Sequence, residues 1–431
     1  MNYLFIHQNF PGQYRHIVRH LADDRRNRIS FITQPNENVM SRVNKIVYAK
    51  DQRTHVSCHA YAVELERAIY TGAAVAEVCK GLREQEFVPN LIVGHSGWGE
   101  TLFLKDIFPE VPVLANFEFF YHSKGVDVGF DPEFASIFND PSALRTRNAV
   151  NLLAFQAADW GHSATLWQRN LYPPEMRARL SALHEGVDTD VVCPNPRATF
   201  RLPDCGEVLT RRDEVITYVA RNLEPYRGFH IFMRALPKLL RRRPKARVVV
   251  VGGDGVSYGS PPPPRSTFRE MMLQELGDSL DLRRVHFVGM LDYFAYLSLL
   301  QISAAHVYLT YPFVLSWSFI EALAAGCLVI GSATAPVLEV LKNGRNGLTV
   351  DFFDHDALCE TIVSGLEHPE RSKELRKAAR NTAIARFDLK RVLLPRWLAL
   401  FNDLIAGRLP KTNALQLVTR GRTATRRARA V

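Results

Sequence analysis

Short β-rich apolar runs alternate with helical patterns along almost the whole chain, and the series starts twice. Candidate strands fall at 3–7, 29–33, 90–94 and 111–116, then at 215–219, 247–251, 284–288, 305–309 and 327–330. Helical periodicity is clearest after Gly228. There Phe229, Phe232, Met233, Leu236, Leu239 and Leu240 recur at helix-face spacing, although Pro237 argues against one unbroken helix. Alternation of this kind builds parallel sheets covered by helices. The stretch 193–213, with Pro194, Pro196 and Pro203, separates the two series. Two doubly wound domains joined near 194–212 is the economical reading, and 431 residues suit two or three domains of roughly 100–200 residues. Such folds bind ligands outside the carboxyl ends of their strands, so the cleft between two of them is the expected site.

Composition excludes several classes. Hydrophobic residues make up 47% and charged residues 23%, which is neither disordered nor fibrous. No apolar run approaches the ~20 residues that span a bilayer. The start, Met1 to Gln8, lacks the basic region and cleavage site of a secretory signal. Six cysteines without a CxxC pair read as buried, reduced thiols of a cytosolic protein. The net charge of +10 owes most to residues 411–431, which hold Lys411, Arg420, Arg422, Arg426, Arg427 and Arg429 and no acid; without them the rest carries +4. By composition this tail reads as disordered, able to touch RNA, anionic lipid or nothing. The body shows no nucleic-acid recognition motif, so no nucleic-acid partner is expected.

Two segments carry chemistry. In 218–228, Arg221, Arg227 and Gly228 occupy a strand-to-helix loop. Glycine permits close backbone approach, the helix start supplies N–H groups, and guanidinium forks match phosphate oxygens. The alternative is a solvated loop whose arginines pair with Glu224. In 311–326, Ser318 and Glu321 have capping-box spacing. On the other reading, the helix start at Leu315, Ser316, Trp317 and Ser318 holds a phosphate, while Glu321 accepts hydrogen bonds from sugar hydroxyls. The turn Gly252 to Gly255 is glycine-rich but lacks the dinucleotide fingerprint.

These residues resemble a retaining glycosyltransferase of family 4, with the GT-B fold. His184, Gly186 and Asp188, followed by Pro194, resemble the family's inter-domain segment. Arg221, Arg227 and Gly228 stand where the family places a basic pair on the donor diphosphate. Val285 to Gly289, with Met290 following, resembles the strand and turn lining the nucleobase pocket. The segment 311–326, then Pro336 to Glu339 and Asn343 to Gly347, resembles the donor-site helix and the loop after it. Glu321 matches the second of the family's two glutamates, which by resemblance faces the nucleotide ribose. The first falls at Phe313. Where many members carry a histidine after the strand at 111–116, this chain has Glu118, near the acceptor hydroxyl by resemblance. The resemblance also puts Gly12, in Pro11-Gly12-Gln13, near the reaction centre; a plain turn is the alternative. For the segment from His95 to Glu100, a cleft loop stands against a turn packed by Trp98. For His122, a satisfied core residue stands against a catalytic one.

The expectation is therefore an α/β protein of two Rossmann-like domains facing across a cleft. Residues 1–193 form the acceptor domain, 194–212 a linker, 213–385 the nucleotide-sugar domain, 386–410 a helix crossing back, and 411–431 the basic tail. The implied activity moves a sugar from a nucleotide-diphosphate donor to a saccharide or lipid-linked acceptor, in polysaccharide or glycolipid assembly. The expected catalytic residues are Glu118, Arg221 and Arg227. The expected donor-binding residues are Gly12, Gly228, Gly289, Met290, Leu315, Ser316, Trp317, Ser318 and Glu321. No cofactor or metal is expected: two guanidiniums and a helix start can neutralise a diphosphate. The Asp188-Thr189-Asp190 pattern lies in the inter-domain segment, away from a strand end. The expected location is cytoplasmic, peripheral on the inner membrane face through the tail. A GT-B epimerase or phosphorylase, or a non-catalytic nucleotide-sugar-binding protein, is the alternative; Phe313 favours the last.

Overall fold

The computed structural model describes residues 1–49, 58–134 and 140–410, so the basic stretch 411–431 lies outside the described residues. These divide into two compact units. The first comprises Met1–Phe120, Thr146–Glu185 and the described part of Leu394–Val431; the second comprises Tyr121–Arg145 and Gly186–Leu393. Residues 121–145 and 186–193, placed by sequence within 1–193, thus group with the second unit.

In the first unit, β1 (Asn2–Ile6), β2 (Arg28–Thr33), β3 (Val43–Val47), β4 (Leu91–His95), β5 (Val113–Asn116), β6 (Trp160–Ser163) and β7 (Leu180–Ala182) form a parallel sheet. Its order is β3-β2-β1-β4-β5-β6-β7. Four of these strands follow the apolar runs in the sequence. The other three, β3, β6 and β7, are short or polar (Val43-Asn-Lys-Ile-Val47 lies at the half-exposed sheet edge with no regular alternation), so they carry little signal. The helix Leu394–Ile405 belongs to this unit. It buries Trp397, Leu400, Phe401 and Leu404, and Phe401 meets the rings of Tyr3 and Phe5.

The second unit opens with a small antiparallel hairpin, β8 (Thr199–Arg201) and β9 (Val208–Thr210). The stretch 194–212, expected as a bare linker, therefore holds ordered structure. Phe200, Leu202 and Leu209 alternate inward and join a core with Val249 and Val251. The parallel sheet that follows consists of β10 (Val215–Asn222), β11 (Arg247–Gly253), β12 (Val285–Gly289), β13 (Ala305–Tyr308), β14 (Val329–Ser332) and β15 (Leu348–Val350). Its order is β12-β11-β10-β13-β14-β15. Both sheets reverse direction of growth beside their first strand, which opens a crevice at the strand ends.

The helix expected after Gly228 is Phe229–Arg242, and it runs unbroken through Pro237. Its six apolar-face residues are all buried, and at about 0.8 kcal/mol per CH2 this outweighs a proline cost near 3 kcal/mol. Gly228 starts it in the left-handed region, φ +66°, and a Cβ there would lie 2.4 Å from Leu309 Cβ. Only glycine meets both demands.

Candidate active site

In the second unit the crevice lies between the ends of β10 and β13. Arg221, next to the end of strand β10, is exposed to solvent, and the chain then turns through Pro225–Arg227 into Gly228. Arg227 is only 7% exposed. Its Nη1 donates to Thr310 Oγ1 (2.8 Å) and to the Val314 carbonyl (2.9 Å), and lies 3.4 Å from the Tyr308 hydroxyl. Its guanidinium sits 5.1 Å from the centre of the Tyr258 ring. Burial works against its charge, but the Tyr308 and Tyr258 oxygens and Glu224 outweigh it and raise the pKa. Glu224 itself accepts backbone N–H bonds from Ser257, Tyr258 and Gly259 at 3.1–3.3 Å. The solvated arginine–glutamate loop is thereby displaced: Glu224 instead ties residues 257–259, just past the glycine-rich turn, to the arginine loop.

The second segment corrects one sequence expectation. The helix Trp317–Ala324 has Ser316, not Ser318, as its N-cap: Ser316 Oγ accepts from Ser318 N–H at 3.2 Å. Ser316 N–H donates to the Tyr308 hydroxyl at 2.8 Å, so Tyr308 links the helix start to Arg227. Glu321 takes no part in a capping box. Its two oxygens accept from the hydroxyls of Tyr293 (2.9 Å) and Tyr296 (2.8 Å), both on the helix Tyr293–Ile302 that follows β12. Gly289, φ +66°, and Met290, 70% exposed, lie at the start of that connection. Leu315 is buried and Trp317 exposed. The structure thus brings Arg227, Gly228 and the 314–318 turn together, and joins Glu321 to the segment after Met290.

Phe313 is 9% exposed and meets the ring of Tyr226 edge-on at 5.5 Å and that of Tyr258 at 5.0 Å. It builds an aromatic wall beside Arg227.

Sequence reasoning missed the acids of 121–134. Asp127 accepts from the Tyr226 hydroxyl at 2.8 Å and Asp131 from that of Tyr311 at 2.7 Å. Glu133 takes both ends of the Arg234 fork at 2.6 and 2.7 Å. Their one local signal is three acids within seven residues of a loop, which fits a solvated turn equally well. His122 is half-buried in the same segment.

In the first unit the crevice holds a cluster of titratable groups. Gly12, φ +54°, follows β1, and a Cβ there would meet the His7 ring at 2.8 Å. Glu118, partly exposed, follows β5. Its Oε1 lies 3.5 Å from Gln13 Nε2 and its Oε2 3.6 Å from His95 Nε2. His95 Nδ1 accepts from Gly97 N–H (3.1 Å), which leaves the proton on Nε2 facing that carboxylate. Trp98 stacks on His95 at 4.2 Å. Glu100 is fully buried, and burial pushes its carboxyl up to about 7 against the pull of His95 and nearby backbone N–H groups. The segment His95 to Glu100 is a packed turn.

Residues 25–192 match the Glycosyl transferase family 4 group, and residues 207–382 match the Glycosyl transferases group 1 family. The chain belongs to the group 1 glycosyltransferases. A GDP-mannose-dependent alpha-(1-6)-phosphatidylinositol monomannoside mannosyltransferase of Mycolicibacterium smegmatis is 27% identical over 218 residues, 48% of this chain and 52% of that protein. A glycogen synthase of Mycobacterium tuberculosis is 28% identical over 177 residues, 41% and 40% of the two. The chain spans about half the length, or less, of these curated relatives. Among solved structures, a sucrose-phosphate synthase of Thermosynechococcus elongatus superposes with TM-score 0.68 at 20% identity, covering 94% of this chain and all of that one. Anabaena HepE in complex with UDP gives 0.65 at 15%, covering 94% and 100%. These likenesses show the GT-B fold.

Within this group 1 glycosyltransferase, the Asp188–Asp190 pattern is engaged elsewhere. Lys390 lies 3.0 Å from Asp188 and 3.2 Å from Asp190, and Arg391 2.8 Å from Asp190. Among the described residues no helix is long and apolar enough to cross a membrane.

Proposed function

We propose that the chain transfers a glycosyl group, with retention of configuration, from a nucleotide-diphosphate sugar to a saccharide or lipid-linked acceptor in polysaccharide or glycolipid assembly. The observation that carries this reading is the buried Arg227, locked at the Gly228 turn and tied through Tyr308 to the helix start at Ser316. Charge held in place at a crevice edge stabilises a departing diphosphate without reorganising during the reaction. Arg221 supplies a second, exposed guanidinium. Together with the helix start they offer the positive potential that a catalytic metal would supply, which supports metal-independent chemistry. Glu321 and its two tyrosines are assigned to the ribose, and Gly289 and Met290 to the base. Gly12 is assigned to the reaction centre, and Glu118, with His95 and Gln13 around it, to the acceptor hydroxyl. The lipid-linked alternative draws on the mannosyltransferase relative. A peripheral cytoplasmic location through the basic stretch 411–431 accompanies it, and binding to anionic vesicles is its check.

The test is a thermal-shift screen of UDP-, GDP- and ADP-sugars, followed by product analysis with candidate acceptors. A ligand at ~100 times its Kd adds roughly 2.7 kcal/mol of stability. No stabilisation by any nucleotide sugar overturns the reading. One observation favours a second reading. Phe313 closes the position where the resemblance implies a sugar-facing carboxylate, as in a protein that binds nucleotide sugars without turning them over. Stabilisation without glycosyl product from any acceptor would establish that alternative.

A further inference from the structure

The sequence expectation of buried thiols is met at Cys79, Cys327 and Cys359 but not at Cys205, which is exposed. Cys205 lies in the turn of the β8–β9 hairpin. Leu202 N–H bonds the Glu207 carbonyl, Gly206 N–H bonds the Leu202 carbonyl, and Gly206 adopts φ +74° to reverse the chain. The hairpin is seated by Phe200, Leu202 and Leu209 in the core, so its turn is held in place. Across from it stands His286 on β12, the edge strand of the six-stranded sheet. The His286 side chain is buried. Its Nδ1 lies 2.7 Å from Asp204 Oδ2, and its Nε2 is buried with no hydrogen-bond partner among the described residues. One ligand atom from each of Asp204, Cys205 and His286 lies within 4.8 Å of the other two.

We propose that Asp204, Cys205 and His286 bind one divalent cation of the Zn2+ class, which clips the hairpin turn to strand β12. The donor set is one thiolate, one imidazole and one carboxylate. Thiolate with imidazole selects Zn2+ over Mg2+ or Ca2+, and the exposed side of the cluster leaves the fourth tetrahedral position to water. Bonds of about 2.0–2.3 Å place tetrahedral ligands roughly 3.3–3.8 Å apart. The 2.7 Å imidazole–carboxylate contact therefore opens by roughly 0.6–0.8 Å on binding, and the thiolate closes in. With no acceptor behind Nε2, the imidazole lacks the support that strengthens many metal sites. An open three-residue site of this kind binds more weakly than a closed four-cysteine one. Its role is structural, at the sheet edge that leads to Gly289 and Met290, and it takes no part in glycosyl transfer.

The experiment uses the full chain, free of any affinity tag and stripped with EDTA, titrated with Zn2+ and separately with Co2+. The expected results are one equivalent bound, a higher thermal midpoint, and a thiolate-to-cobalt charge-transfer band. Cys205→Ser should abolish that band, and Cys205→Ser and Asp204→Asn should each weaken Zn2+ binding at least tenfold. Cys205→Ser alters an exposed side chain and should match the metal-free parent in thermal midpoint, so it holds the test even where the buried His286→Gln fails to fold. A cobalt spectrum without thiolate character, or wild-type zinc affinity in Cys205→Ser, overturns the proposal. Nucleotide binding by the stripped protein is measured on the same samples, which separates failure of this site from failure of the transferase reading.

Discussion

The Tyr311 hydroxyl donates to Asp131 at 2.7 Å, joining residues 180 positions apart. The Tyr311 ring lies 4.5 Å from that of Tyr226, whose own hydroxyl donates to Asp127. Tyr226 directly precedes Arg227, and Tyr311 lies between Thr310 and Val314, which accept the Arg227 hydrogen bonds. Two acids from the segment 121–134 therefore fix both loops that hold the buried guanidinium.

Asp131→Asn is expected to destabilise the protein at pH 7 by about 1.5–3 kcal/mol, the range for a hydrogen bond to a charged group. Burial pushes the Asp131 carboxyl up, but the His230 ring 3.1 Å away and the hydrogen bond from Tyr311 outweigh it and hold it below its usual range. A depressed carboxyl contributes stability above its unfolded value of about 3.9, and the contribution is lost as pH falls through the folded value. The difference between wild type and variant in denaturant midpoint should therefore shrink below about pH 4. A difference independent of pH would refute the charge argument.

The two arginines should separate stability from binding. Arg221 is exposed, so Arg221→Ala should leave the thermal midpoint unchanged and cost about 1.5–3 kcal/mol of nucleotide affinity. Arg227→Ala should lose affinity and stability together, because Thr310 and the Val314 carbonyl lose their partner. Calorimetric titration with UDP, GDP and ADP, beside thermal melts, checks both. Unchanged nucleotide binding in both variants would remove the diphosphate assignment.

Glu321→Gln keeps an acceptor for one tyrosine hydroxyl and loses the charge shared by Tyr293 and Tyr296. Nucleotide affinity is expected to fall by about 1–2 kcal/mol. Helix capping is untouched, because Ser316 provides it. Phe313→Glu should alter sugar preference while leaving nucleotide binding intact. It also places a carboxylate in the aromatic wall, so a stability loss is expected alongside. Wild-type affinity and turnover in Glu321→Gln would reduce the residue to a link between two helices.

The core of the first unit predicts a two-signed pH profile. Burial, with His95 nearby, holds His7 and His162 down at about 3, so the folded chain refuses two protons that the unfolded chain takes near 6.5. That stability is complete above about 6.5 and is lost as pH falls toward 3. Glu100, up at about 7, acts oppositely: the folded chain keeps a proton that the unfolded chain releases near 4.3, so stability declines as pH rises through that window. Glu100→Gln should abolish the decline, gaining on wild type by up to about 3 kcal/mol between pH 4.5 and pH 7.5. A gap between the two proteins that stays constant over that range would show that Glu100 ionisation does not govern it.

Local rules carried the sequence far. Apolar runs of strand length, helix-face spacing after Gly228 and the proline-rich break before Val215 determined two parallel-sheet units, because burial of one face or both leaves a periodic trace in the chain. The same locality marked Arg221, Arg227, Gly228 and Glu321, which lie at strand ends and a helix start, where anion binding has a local backbone cause. It could not separate Ser316 from Ser318 as the cap, since both lie at the start of the same helix and the choice turns on the Tyr308 hydroxyl that fixes Ser316 N–H. Nor could it show that Glu321 is held by Tyr293 and Tyr296, that Arg227 is buried, or that Asp127 and Asp131 reach the two loops around it. Those partners lie 25 to 180 residues apart and meet only because strand order sets which loops become neighbours. Periodicity reports the face a residue turns to the core; the partner it finds there is decided by which strands pair and where the loops between them close.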